Sequence, residues 1–138
     1  GMAQLQHVNK RLLKSVAGHM SRHLADCKPQ EISNVVFAMA LLQHRETRFF
    51  HAVCEHVPSR LGDFNSQNIS NIVHAMAENQ HWNTYFLLAV ARHVPPRLGE
   101  FTLQGLTNLM CGVARLSWHP SRPFGDCLRL RTLARSGS

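Results

Sequence analysis

The chain has 138 residues, and 15 Lys and Arg against 8 Asp and Glu give a formal net charge of +7, with ten His held in reserve. Its apolar runs are too short and too interrupted to span a membrane, so no membrane insertion is expected, and the basic balance suits an anionic partner such as nucleic acid. Cys27, Cys54, Cys111 and Cys127 show no metal-ligand spacing, and there is no Gly-rich phosphate loop, nucleophile motif or HExxH; the expectation is no metal, no cofactor, no catalytic residue and no enzyme, in a reducing compartment.

The elements follow a period. Gln30-Glu31-Ile32-Ser33-Asn34-Val35-Val36-Phe37-Ala38-Met39-Ala40 recurs 37 residues later as Gln67 to Ala77, and again, weaker, as Gln104 to Ala114. Residues 28–64 match residues 65–101 at 21 of 37 positions, without insertion. In chain order, Gly1 to His7 fall in register with Ala38 to His44, which predicts the tail of a first helix in a copy entered partway, and a native array that extends further toward the N-terminus. Residues 9–25 then read as the second helix of that incomplete copy. A helix over 29–42 follows, with Pro29 in its first turn and Ile32, Val35, Val36 and Met39 as its apolar stripe. A polar break at His44-Arg45-Glu46 leaves Thr47 to cap a second helix over 47–57, which Pro58 stops. Arg60-Leu61-Gly62-Asp63-Phe64 reads as a short turn, with Leu and Phe plugging the seam between copies and Gly allowing a left-handed bend.

The next copy repeats this, with Asn65 capping a helix over 66–79, Thr84 available to cap one over 84–94, Pro95 stopping it and Arg97 to Phe101 turning. Thr102 caps a third first-type helix over 103–116. Beyond it, a weak helix around Phe124, Cys127, Leu128 and Leu130 fits a capping position, and the Arg-Ser-Gly-Ser end is expected to fray. The organisation is therefore a partial repeat 1–27, repeats 28–64 and 65–101, and a divergent C-terminal repeat or cap with tail, 102–138. The fold class is all-α: an α-solenoid, a right-handed stack of antiparallel helix pairs with an exact 37-residue repeat.

A helix pair built around Q-x-[IL]-[ST]-N-[VIL]-x-x-[AG]-x-A resembles the octotricopeptide and heptatricopeptide repeats of organellar RNA-binding proteins. The 37-residue period is that of the heptatricopeptide type, found in apicomplexans and related protists. The resemblance covers about residues 1–117 and is strongest over 28–101. It implies an organellar protein that contacts RNA, in the mitochondrion or alternatively the plastid, either regulating transcripts or sitting in a ribosome or other large ribonucleoprotein among neighbouring proteins and ribosomal RNA.

On the helical wheel the stripe leaves positions 30, 34, 37 and 41 on the opposite face. In the three copies this face reads Gln30, Asn34, Phe37, Leu41; Gln67, Asn71, His74, Glu78; and Gln104, Asn108, Cys111, Arg115. Two positions are constant and two vary, the form expected when a few side chains per copy read one base. Phe37 or His74 would stack on a base, while Glu78 and Arg115 would bond opposite kinds of base edge. The same pattern has a plainer reading, in which constant Gln and Asn tie copies together and Phe37 with Leu41 forms an apolar patch for another protein. Charge divides differently. Residues 1–26 are net +3 and residues 115–138 net +4, while 27–114 carry six charges of each sign. Lys10, Arg11, Lys14, Arg22, Arg122, Arg129 and Arg131 are therefore the candidates for phosphate contact. The neutral middle keeps a second function open, a protein–protein scaffold segment of a larger helical-repeat protein. His19, His56 and His93 share one repeat position and His7, His44 and His81 another, so they lie a copy apart rather than converging on a metal.

Overall fold

The computed structural model describes residues 2–117. These residues form six α-helices: α1 Met2–Ser21, α2 Pro29–Leu41, α3 Thr47–His56, α4 Ser66–Glu78, α5 Thr84–His93 and α6 Leu103–Ser117. Short 3-10 segments at Leu24–Asp26, Val57–Asp63 and Pro95–Glu100 connect α1 to α2, α3 to α4 and α5 to α6, and no strand occurs among the described residues. The weak helix expected around Phe124 to Leu130 lies outside them.

Local chemistry sets the boundaries. Asn65 Oδ1 accepts from the Asn68 amide at 2.7 Å, and Asn68 Oδ1 accepts from the Asn65 amide at 3.1 Å, a reciprocal cap built from two Asn. In α2 only one half of this exchange forms, because the Lys28 ammonium cannot accept; the Lys28 amide donates to Glu31 Oε1 at 2.8 Å. Thr102 Oγ1 caps α6 by accepting from the Gly105 amide at 2.9 Å. For α5 the cap is Asn83, whose Oδ1 takes the Phe86 amide at 2.9 Å, and Thr84 is the first helical residue rather than the expected cap. Glu46 holds the corresponding position before α3, so Thr47 does not cap either.

The left-handed bends are not at the expected glycines. No glycine among the described residues has positive φ; Gln43 and Gln80 do, both at 52°. They end α2 and α4 in the same way. The His44 amide reaches Met39 O at 2.8 Å and the Gln43 amide reaches Ala40 O at 3.1 Å, and the His81 and Gln80 amides repeat these bonds to Met76 O and Ala77 O. This double return satisfies the last carbonyls of the helix. At the far end of α3 and α5, the proline-containing segments break at Arg60 (φ −125°) and Arg97 (φ −114°), leaving Gly62 and Gly99 free of any special demand.

The helices pack by type. α2 lies against α4 and α4 against α6, while α1 lies against α3 and α3 against α5. One continuous core joins the two ranks: Ile32, Val36 and Met39 from α2, Phe49, Phe50 and Val53 from α3, and Ile69, Ile72, Val73 and Met76 from α4, closed by Phe86, Leu87, Val90, Leu109 and Leu116. Each fully buried side chain of this size contributes about 1.5–3 kcal/mol. Phe64 and Phe101 plug the seams as expected, with Leu61 beside the first, but Leu98 is half exposed. Where α6 meets α4 the backbones come close: a Cβ on Gly112 would stand 2.9 Å from Val73 Cγ1 and 3.4 Å from Val73 O.

The partial first copy needs a correction. α1 runs unbroken from Met2 to Ser21, so the expected turn after His7, between the end of one helix and the start of the next, does not form. In the later copies that turn is held by a left-handed Gln at the end of a packed helix of 13 residues. In α1 the corresponding residues stay helical instead, each adding a backbone hydrogen bond to one continuous helix.

Candidate functional site

Two arginines hold successive copies together. The Arg60 guanidinium donates to the carbonyls of Leu24 (3.1 Å) and Cys27 (3.0 Å). Arg97 donates to Leu61 O (3.2 Å) and Phe64 O (2.9 Å), the carbonyls 37 residues further on. Each guanidinium also meets a ring nitrogen one turn back, Arg60 with His56 at 3.1 Å and Arg97 with His93. Because the arginine can only donate, the imidazole accepts and is neutral. Burial, and after it the adjacent guanidinium, lower the pKa of both His56 and His93 below 6.5. Position 23 of the first copy carries His in place of Arg, and there the rings of His19 and His23 pack with centroids 4.6 Å apart. Sequence reading missed this role, though the signal was present in the identity of Arg60 with Arg97 and of His56 with His93.

The expected face of α2, α4 and α6 is open to solvent. Gln30, Asn34, Leu41, Gln67, Glu78, Gln104, Asn108, Cys111 and Arg115 are exposed, and Phe37, Asn71 and His74 are half-buried. Some of these side chains are already engaged with one another. Asn68 Nδ2 donates to Gln30 Oε1 at 3.1 Å across the α2–α4 contact, and Gln30 Nε2 donates to Asn34 Oδ1 at 2.9 Å. Arg115 bonds Glu78 at 2.8 Å across the α4–α6 contact, with His74 Nε2 at 4.0 Å from the same carboxylate. That hydrogen bond, more than the charge alone, lowers the Glu78 pKa. Leu41 keeps 69% of its surface exposed, an apolar spot on a polar face.

Between α4 and α6 the constant Gln and Asn positions do not close up. Gln67, Ser70, Asn71, Gln104, Gly105 and Asn108 line a polar groove of about 440 Å³. Gly105 holds the repeat position of Asn68 and has no side chain to reach back to Gln67, so the bridge that ties Gln30 in the previous copy has no counterpart.

Of the phosphate-contact candidates, Lys10, Arg11, Lys14 and Arg22 are exposed on α1; Arg122, Arg129 and Arg131 lie outside the described residues. The free thiols differ. Cys54 is buried, which pushes it up to about 12, whereas Cys111 is exposed. No group of residues able to hold a metal ion occurs among the described residues, and no described helix is long and apolar enough to cross a membrane. No protein family matches the chain, and neither a curated protein nor a solved structure is significantly similar to it.

Proposed function

We propose that this chain is an α-solenoid segment of 37-residue helix-pair copies that binds single-stranded RNA, as part of an organellar ribonucleoprotein such as a mitochondrial ribosome. The observation that carries the reading is the ladder of exposed Gln and Asn along α2, α4 and α6, which opens into a polar groove between α4 and α6. Amides in that setting donate and accept together, as a base edge requires. The net charge of +7 supplies attraction for phosphates, and the resemblance to heptatricopeptide repeats points the same way. Three copies would specify about three bases at one base per repeat, which suits a short array wedged into a larger assembly rather than one reading a long message alone.

A scaffold segment that binds protein is the second reading. It is favoured by the exposed Leu41 beside Phe37, by the neutral middle of the chain, and by the Glu78–Arg115 pair, which neutralises two of the four variable groups in those copies. Salt separates the two. RNA held through several phosphates loses affinity steeply between about 50 and 200 mM salt, whereas an apolar protein contact barely responds. Fluorescence anisotropy of the full chain with a randomised single-stranded RNA pool is expected to show that steep loss. Absence of binding at the low-salt end leaves the scaffold reading.

A further inference from the structure

A second groove, in the other rank of helices, has a different chemistry. On α1, Lys14, Ala17, Gly18, Ser21 and Arg22 follow the spacing i, i+3, i+4, i+7, i+8 and share one face. With Glu46, the residue before α3, and the first turn of α3 to Phe49, they enclose a groove of about 570 Å³. Its floor is hollow because the central residues are small. A Cβ built on Gly18 would find as its nearest neighbour the Arg22 guanidinium, at 4.0 Å. The cations Lys14, Arg22 and Arg48 stand around it, and none of them makes an ion pair with a described residue. The single carboxylate lining it, Glu46, hydrogen-bonds His44 at 2.9 Å, so cations outnumber carboxylates in the groove by three to one. By contrast, Arg60, Arg97 and Arg115 are all committed to intramolecular partners.

The same fold supplies its own comparison. One copy further on, at the α3–α5 contact, the positions of Lys14, Arg22 and Arg48 are held by His51, Ser59 and Tyr85, and Glu55 is present with Asn83 beside it at 3.5 Å. The positive groove is therefore a property of these residues and not of the helix arrangement. Three cations without ion-pair partners, against one carboxylate, around a hollow lined with small residues and a Thr hydroxyl suit a chain of phosphodiesters, whose oxygens accept from ammonium and guanidinium donors.

From this we infer that the α1–α3 groove is a binding site for the phosphodiester backbone of single-stranded RNA, with Lys14, Arg22 and Arg48 as its charge contacts. The inference rests on the RNA reading above and locates the phosphate contacts away from the amide ladder. It is tested with the full chain and a short labelled oligouridylate, reading affinity against salt. Replacing all three cations (Lys14→Gln, Arg22→Gln, Arg48→Gln) is expected to reduce the salt slope by about 2, at roughly 0.7 per contact for a single strand. A charge-matched control, Lys28→Gln with Arg45→Gln and Arg92→Gln, removes three exposed cations outside the groove and is expected to change it by less than half as much. Installing the cations one copy on (His51→Lys, Ser59→Arg, Tyr85→Arg) is expected to steepen the slope of the otherwise unaltered chain. Equal losses in the groove variant and its control overturn the site while leaving RNA binding standing. An unaltered chain that fails to bind the oligonucleotide at low salt overturns both readings together.

Discussion

At the scale of single residues, the arginine staples carry a pH dependence of known sign. His56 and His93 accept from Arg60 and Arg97 only while neutral, and their folded pKa values lie below the ordinary 6.5. Above pH 6.5 both folded and unfolded chains hold neutral imidazoles, and the staples keep their full contribution. As the pH falls through 6.5 the unfolded chain takes up protons first, so stability is lost down to the folded pKa. Around Arg60 the facing groups are His56 and Asp63, and around Arg97 they are His93 and Glu100. Glu100 is held below the ordinary carboxylate range by its hydrogen bond with Arg97, so beside Arg97 the imidazole is the group that changes in this window. The melting temperature is expected to fall between pH 7.5 and pH 5.5, and to fall less in a His56→Gln, His93→Gln chain, whose amides do not titrate. An identical pH profile in the two chains would show that the staples do not sense protons. The staples were half legible: the repeated Arg and His could be read from the sequence, but not that the guanidinium crosses to the previous copy's carbonyls, which only the fold brings within reach.

Helices were the easiest elements to read, because apolar residues at helical spacing, prolines and capping Asn or Thr all agree on them. The first-type helices expected over 29–42, 66–79 and 103–116 form as Pro29–Leu41, Ser66–Glu78 and Leu103–Ser117. What failed was turn chemistry and the first copy. The left-handed bend was expected at Gly62 and Gly99, yet it falls at a different turn, where Gln43 and Gln80 adopt it and their amides and those of His44 and His81 return to carbonyls at the ends of α2 and α4. Helix-to-helix distance was equally invisible. Gly112 stands at the repeat position of Ala38 and Ala75 and reads as ordinary drift, but α6 touches Val73 there. Gly112→Val is expected to destabilise the fold by about 1–3 kcal/mol through overpacking against a buried β-branched side chain. Gly99→Ala, with nothing within 4 Å of the added carbon, is the matched control and is expected to stay within about 0.5 kcal/mol of the parent. Urea unfolding of both variants measures the difference, and equal midpoints would mean that α6 packs less closely on α4 than described.

For the whole molecule, a period of 37 residues in sequence reappears as helices that begin at 29, 66 and 103, and as staples whose donors and acceptors are displaced by the same interval. Such an arrangement exposes one amide-bearing face along α2, α4 and α6, and we read that face as the one that meets bases. The candidate residues for it were legible because the wheel of one helix decides which positions packing leaves free. That Gln30 is tied to Asn68 while Gln67 opens onto a groove was not, because it turns on Gly105 in the neighbouring copy. The most direct measurement is selection of preferred sequences from a randomised single-stranded RNA pool by the unaltered chain and by a His74→Phe, Glu78→Leu chain, which gives one copy the pair used in the copy before. The preference is expected to change at a single nucleotide while affinity stays within about threefold, since both side chains lie off the packed stripe and an exposed ion pair such as Glu78–Arg115 contributes little. Identical selected sequences from the two chains would contradict base reading by this face.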